Sequence, residues 1–421
     1  MDLRRLTELF ETNRKTGHGG IASVCSAHPL VIGATLALAG ERDQLALIEA
    51  TCNQVNQFGG YTGLEPADFA AMVRKEAESV GLGEDDLLLG GDHLGPQPWR
   101  SEPAEEALGK ARDLVRAFAA AGFQKLHLDC SMRCADDPDV LPDALIAGRA
   151  ASLASAAEET GARPLYVIGT EVPPPGGMGA GHHIAVTSPA SVKDTYEAHH
   201  EAFATVGLKD AFSRVVAVVV QPGLDFGNEE IVHFAPDKAD RLAEAVRDYP
   251  GIVFEAHSTD YQLPAAYREL VARHFAILKV GPAATFAMRE AFYALEAMEA
   301  ELVPSGERSR LRAMVEASML MRPADWQAHY HGDADKQAYL RHFSYSDRIR
   351  YYWAAPEIEA ARERLFANLA RTGLPLPLIS QYLPQHHGAV AEGRIEATPG
   401  ALVGANVVRA LAPYFDAAAS H

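Results

Sequence analysis

The sequence predicts an α/β fold, a (β/α)8 barrel of the TIM type over residues 1–300, with a helical C-terminal region, 301–421, packed on it. Three observations predict it. Short β-rich apolar runs alternate with longer helix-patterned stretches over roughly the first 285 residues, a length suited to eight strand-helix units. Runs such as Val215–Val220 are apolar at every position, as expected of parallel strands covered on both faces. Run after run also ends in polar residues, at the strand ends where such barrels carry their chemistry.

In chain order, an amphipathic helix starts at Met1-Asp2-Leu3-Arg4-Arg5 and has no signal-type apolar core. The strand candidates are Ile21–Cys25, Leu45–Ala50, Asp86–Gly90, Lys125–Leu128, Leu165–Gly169, Arg214–Val220, Ile252–Glu255 and Ala276–Val280. Between them, segments such as Glu105–Ala121 and Ala239–Tyr249 carry helical spacing. From Glu301 onward only helices are expected: Ser305–Met321, Pro323–His329, Asp333–Phe343 and Ile358–Ala370. No linker separates them from the barrel. A doubly wound open sheet is the alternative, but it would usually show a nucleotide-binding turn, and none is present.

Composition narrows the function. With 48% apolar and 22% charged residues the chain is an ordinary globular protein. A net charge of −18 argues against nucleic acid or anionic membranes as bulk partners. No apolar run reaches membrane-spanning length. Cys25, Cys52, Cys130 and Cys134 form no CxxC pair, so reduced thiols and a cytoplasmic location are expected.

The run Leu87-Leu88-Leu89-Gly90-Gly91-Asp92-His93-Leu94-Gly95-Pro96 reads as a buried strand delivering an acid/base and a metal ligand to the barrel mouth. The other strand ends add Ser26 and His28; Glu49, Asn53, Gln54 and Gln57; His127, Asp129 and Ser131; Glu171; Gln221; Glu255, His257 and Asp260; and Lys279. Any one of these is ordinarily a satisfied structural polar group. Their joint occurrence is costly unless they converge on a ligand.

His93, Glu171 and His257, from strands three, five and seven, could meet across the mouth and hold a divalent ion, zinc or manganese, with Asp129 or Gln221 completing the set. Asp92 would then serve proton transfer rather than ligation, with a turn-capping carboxylate as its plain alternative. The Gly/Pro-rich stretch Val172–His183 reads as a lid or a surface loop. Gly281-Pro282-Ala283-Ala284-Thr285, with Arg289 one turn on, reads as a phosphate cradle at a helix N-terminus or as a simple turn. Ser344–Trp353 concentrates aromatics and arginines, suited to the barrel mouth or to a subunit interface.

The strings SVCSAHPLV (23–31), IEATCNQVNQFGGYTG (48–63), GGDHLGP (90–96), HLDCSM (127–132), VIGTEVPPPGG (167–177), VVQPG (219–223), EAHSTDYQ (255–262), FAILKVGPA (275–283) and SDRIRYYW (346–353) occur together. With them the chain closely resembles the Z-subunit (GatZ/KbaZ-like) family of class II D-tagatose-1,6-bisphosphate aldolase. Asp92-His93 and the Asp129-Cys130-Ser131 run also look like the Asp-His pair and Asp-x-Ser motif of catalytic class II aldolases, in which the His binds zinc and the Asp moves protons. At strand six those enzymes carry a zinc-binding His, and this chain has Gln221.

The resemblance implies one of two roles: a non-catalytic subunit supporting a catalytic class II aldolase, or a 4-epimerase interconverting D-tagatose 6-phosphate and D-fructose 6-phosphate. An older family label, tagatose-6-phosphate kinase, finds no GxxxxGK[ST] and no other nucleotide site here. The epimerase role accounts for the strand-end residues. Asp92, Asp129 and Glu255 are its expected catalytic groups. Asn53, Gln57, Ser131, Gln221, Asp260, Lys279, Gly281, Thr285 and Arg289 are its expected substrate and phosphate contacts. The expected partners are a phosphorylated ketohexose, a catalytic class II aldolase subunit under the other role, and further copies of the chain in a homo-oligomer.

Overall fold

A computed structural model of the chain describes residues 3–169 and 184–419. Its eight long strands are β1 (Ile21–Cys25), β2 (Ala46–Thr51), β3 (Leu87–Leu94), β4 (Lys125–Leu128), β5 (Leu165–Ile168), β6 (Val215–Val220), β7 (Val253–Ala256) and β8 (Phe275–Val280). All are parallel and pair with their chain neighbours. β8 then pairs with β1, Ile277 beside Ile21 and Val280 beside Val24, and the barrel closes. The (β/α)8 expectation holds, with each strand within one residue of its expected bounds except β3, which runs on to Leu94. Its extension contains a bulge. Gly91 pairs with Leu126 but Leu94 pairs with Leu128, so β3 spends three residues where β4 spends two.

The interior is layered because side chains alternate along each strand. At the N-terminal end, Leu47, Leu88, Val167 and Ile277 form an apolar layer, into which the helix Arg4–Thr16 buries Leu6 and Phe10. Each of those two side chains contributes about 1.5–3 kcal/mol by leaving water. Two residues on from Leu47, Val253 and Ile277 come Glu49, Glu255 and Lys279, which with Lys125 form a buried charged layer. Gly90 makes room for it: an added Cβ would run into the Glu49 carboxylate. One further alternation brings Asp92, His127 and His257 to the mouth.

The helix Pro282–Leu302 crosses the boundary expected at residue 300. Two expectations in the C-terminal region are corrected. Pro323–His329 contains only the single 3-10 turn Pro323–Asp325. Three helices went unread: Leu376–Tyr382, Pro384–Ala391 and Pro399–Ala418. The last packs against Pro29–Glu41, Pro264–Ala272 and Pro282–Leu302. It is tied in by Gly20 N–H to the Ala418 carbonyl at 3.0 Å, Tyr414 hydroxyl to the Thr259 carbonyl at 2.9 Å, and Asn406 Nδ2 to the Ala287 carbonyl at 2.7 Å. Pro413 lies inside this helix, and a proline at that place reads in the sequence as a helix break. The four cysteines are free thiols, and no helix of the described residues is long and apolar enough to cross a membrane.

Candidate active site and metal centre

On a regular strand Asp92 and His93 would point to opposite faces. The β3 bulge and the left-handed backbone of His93 (φ 48°) bring both to the mouth. Gly95 then lets the chain pass: a Cβ there would collide with the Asp129 carbonyl.

Three imidazoles gather beside Asp92. The ring centres of His93 and His127 are 5.0 Å apart, those of His93 and His257 4.9 Å, and those of His127 and His257 5.3 Å. One donor atom from each of Asp92, His93, His127 and His257 lies within 4.8 Å of the others. Every ring has an oxygen acceptor at one nitrogen. His93 Nδ1 meets Asp129 Oδ2 at 2.8 Å, His127 Nε2 meets the Gly169 carbonyl at 2.8 Å, and His257 Nε2 meets Glu255 Oε1 at 2.9 Å. The tautomers follow from those partners. Each imidazole donates outward and keeps its lone pair on the other nitrogen, which is how metal-binding histidines are held. His127 Nδ1, a lone-pair nitrogen in that tautomer, lies 3.0 Å from the carboxylate oxygen Asp92 Oδ1. The His93 backbone N–H donates to the same His127 Nδ1 at 3.3 Å, and Lys279 Nζ lies 2.7 Å from the same Asp92 Oδ1. The donor set, three nitrogens and a carboxylate, fits a zinc-like ion.

The electrostatics agree with a place made for positive charge. Burial opposes a charged His93, yet Asp92 and the bonded Asp129 raise it to about 9. Burial takes His257 down to about 4 although Glu255 pulls the other way. Burial pushes the Asp92 carboxyl up, but His93, Lys279, His127 and His257 together hold it well below the usual range. Below the mouth, Lys279 Nζ contacts Asp92 Oδ1 at 2.7 Å and also pairs with Glu49, while Lys125 Nζ sits 2.7 Å from both Glu49 Oε1 and Glu255 Oε2.

A family model described as D-tagatose-1,6-bisphosphate aldolase subunit GatZ/KbaZ-like matches residues 6–419. The chain belongs to the GatZ/KbaZ-like family. A solved structure from Sinorhizobium meliloti 1021, described as a probable tagatose 6 phosphate kinase, is 48% identical with a TM-score of 0.88, covering 94% of this chain and 100% of that one. A Campylobacter jejuni fructose-bisphosphate aldolase is 14% identical with a TM-score of 0.46, covering 88% of this chain and 95% of that one. The YdjI aldolase from Escherichia coli K12 is 11% identical with a TM-score of 0.43, covering 87% and 96% respectively.

In this GatZ/KbaZ-like protein two of the three expected ligands lie among the described residues. His93 and His257 converge as expected. Glu171, the third expected ligand, lies outside the described residues, as do His182 and His183. His127, read from the sequence only as one more strand-end polar group, supplies a third imidazole. Its place follows from β4 itself: Lys125, His127 and Asp129 alternate with Leu126 and Leu128. Asp129 and Glu255 orient His93 and His257, and Ser131 Oγ donates to Asp129 Oδ1 at 2.6 Å. His28 accepts from Leu30 N–H at 3.2 Å and caps the helix Pro29–Glu41.

Several expected substrate contacts are engaged by the protein itself. Gln57 Nε2 donates to the Lys110 carbonyl at 2.9 Å, and Gln221 Oε1 accepts from Gly223 and Leu224 N–H at 2.8 and 3.0 Å. Asn53 is exposed. The phosphate cradle at Gly281–Thr285 is corrected. Asp260 Oδ1 already accepts from Gly281 N–H at 3.1 Å and Ala283 N–H at 2.8 Å. Thr285 Oγ1 donates to Asp347 Oδ2 at 2.6 Å, and the buried Arg289 pairs with Asp347 and packs over the Phe286 ring. A carboxylate at a helix N-terminus satisfies the donors a phosphate would need.

Proposed function

We propose that this protein is a metal-dependent ketose-phosphate 4-epimerase that interconverts D-tagatose 6-phosphate and D-fructose 6-phosphate in galactitol and tagatose catabolism. The convergence of His93, His127 and His257 beside an ionised Asp92 carries this reading. In a 2-ketose the C4 hydrogen lies β to the carbonyl and is not acidic, so inversion needs oxidation or reversible C3–C4 cleavage. No dinucleotide fingerprint is present, which favours cleavage.

A zinc or manganese ion held by the three histidines, with Asp92 beside it, would supply positive charge for the ketose oxygens. The protein's own part is proton handling and orientation. Lys279 keeps Asp92 ionised, so Asp92 can accept the C4 hydroxyl proton. C4 becomes an aldehyde carbon, the C3–C4 bond breaks, and its electron pair passes to C3 and the C2 carbonyl oxygen. The aldehyde turns its other face, C3 attacks it, and Asp92 returns the proton to the C4 oxygen. Asp129 and Glu255 act as positioning residues for His93 and His257.

The test is purified protein with Zn²⁺ or Mn²⁺ and D-tagatose 6-phosphate, followed by fructose 6-phosphate formation. Turnover that a chelator abolishes, and that Asp92→Asn lowers about 10²–10⁴-fold with metal still bound, is expected. The family description as an aldolase subunit favours a second reading, a non-catalytic partner of a catalytic class II aldolase. Under that reading the isolated chain turns over nothing, and its presence raises the activity of a co-expressed aldolase.

A further inference from the structure

The segment Ser344–Trp353 lies over the barrel mouth. Tyr261, following β7, donates its hydroxyl to the Tyr345 carbonyl at 2.6 Å, and Asp347 is held by Thr285 and Arg289 of the helix after β8. From the other side the Tyr61 ring, in the loop after β2, meets the Tyr351 ring at 4.6 Å. Two guanidiniums come with this segment. Arg348 lies 5.1 Å and Arg350 4.6 Å from the centre of the Tyr351 ring.

Their polar partners are neutral. Arg348 donates to the Asp325 carbonyl, and Arg350 to the Ser346 and Asp347 carbonyls and to the Tyr351 hydroxyl. Among the described residues no carboxylate is ion-paired with either. Further basic groups stand close by. His329 is brought down to about 4, by burial first and then by Arg348, Arg350, His331 and Arg100. Arg100 follows β3, so the cluster gathers at the ends of the same strands as the imidazoles. The Asp325 and Asp347 carboxylates act on Arg348 and Arg350 from beyond ion-pairing distance, so neither guanidinium is held by a carboxylate and each can take a ligand anion. A guanidinium matches the geometry of a phosphate monoester. The helix N-terminus at Gly281 cannot serve, because Asp260 fills it.

We propose that Arg348 and Arg350 form the subsite that binds the phosphate monoester of a phosphorylated ketohexose. This rests on the reading of the mouth as a ketose site. It also suits the cleavage route. A phosphate held at C6 keeps the aldehyde fragment in place while its C4 turns its other face.

The test is calorimetric titration of the metal-loaded full chain with D-tagatose 6-phosphate, D-tagatose and inorganic phosphate. Wild type should bind the sugar phosphate at least about tenfold more tightly than the sugar, the value of one charge-assisted bond. Arg348→Gln and Arg350→Gln should each remove most of that preference and leave sugar binding unchanged, while Arg350→Lys retains part of it. Folded variants that keep the wild-type preference, or a wild type that shows none, would overturn the subsite. Should both Gln variants fail to fold, hydrogen exchange of wild type decides: inorganic phosphate must protect 344–353, and no protection overturns the proposal. Turnover is scored separately. Phosphate preference without turnover keeps the subsite and sinks the epimerase. Equal turnover of sugar and sugar phosphate does the reverse.

Discussion

Lys279 Nζ lies 2.7 Å from Asp92 Oδ1 while also pairing with Glu49, so one buried cation joins the charged layer to the acid at the barrel mouth. Burial opposes the charge on Lys279, and Asp92 with its neighbours outweighs it. Removing one partner leaves a buried charge uncompensated, the costly way to break such a network. Lys279→Met should therefore lose about 3–5 kcal/mol in urea unfolding. A loss within 1 kcal/mol, about the worth of an exposed pair, would mean that water reaches the layer.

Asp129 meets the candidate metal centre through His93, at 2.8 Å from its Nδ1. Asp129→Asn should weaken zinc binding about 10–100-fold in chelator competition, because the ring loses its charged acceptor. His28→Ala should leave zinc affinity unchanged and cost about 1 kcal/mol, since His28 only caps a helix. Equal zinc losses in the two variants would contradict these roles.

Burial raises the Asp260 carboxyl to about 6, against the bonds from Ala283 and Gly281 that favour its ionised form. The folded value lies above that of an unfolded chain, about 3.9, so the ionised group costs stability. That cost is fully present above about pH 6 and disappears as pH falls toward about 4. Asp260→Asn keeps an acceptor for the two N–H groups and removes the charge. It should exceed wild type by up to about 3 kcal/mol near pH 8 and by little near pH 4. Urea unfolding across that range checks the sign, and a gap that widens toward acid would refute it.

Cleavage between C3 and C4 never removes the hydrogen on C4. Epimerisation run in D₂O should give fructose 6-phosphate with no deuterium at C4 by proton NMR. Deuterium at that carbon would exclude the C3–C4 route.

The strands, their order and the polar character of their ends were legible in the sequence, because period-two alternation and strand-end polarity are local properties. Leu47 with Glu49, and Lys125 with His127 and Asp129, declare a shared face by spacing alone. The closing helix Pro399–Ala418 was not legible, since Pro413 inside it reads locally as a helix break. Nor was the β3 bulge, which depends on pairing with β4. Without it Asp92 and His93 cannot share the mouth.

By itself, then, the sequence determined an eight-stranded barrel with acids and imidazoles at its strand ends. Tertiary structure decided which of them meet. His127 joins His257 because β4 and β7 set their third inward layer at one height, and the β3 bulge turns His93 in beside them. The helix N-terminus at Gly281 is filled by Asp260 because the β7 loop folds across it. The arginines of Ser344–Trp353 reach the mouth because Tyr261, Thr285 and Arg289 tie that segment down. Distances between strands far apart in the chain depend on register and closure, and no local pattern encodes them.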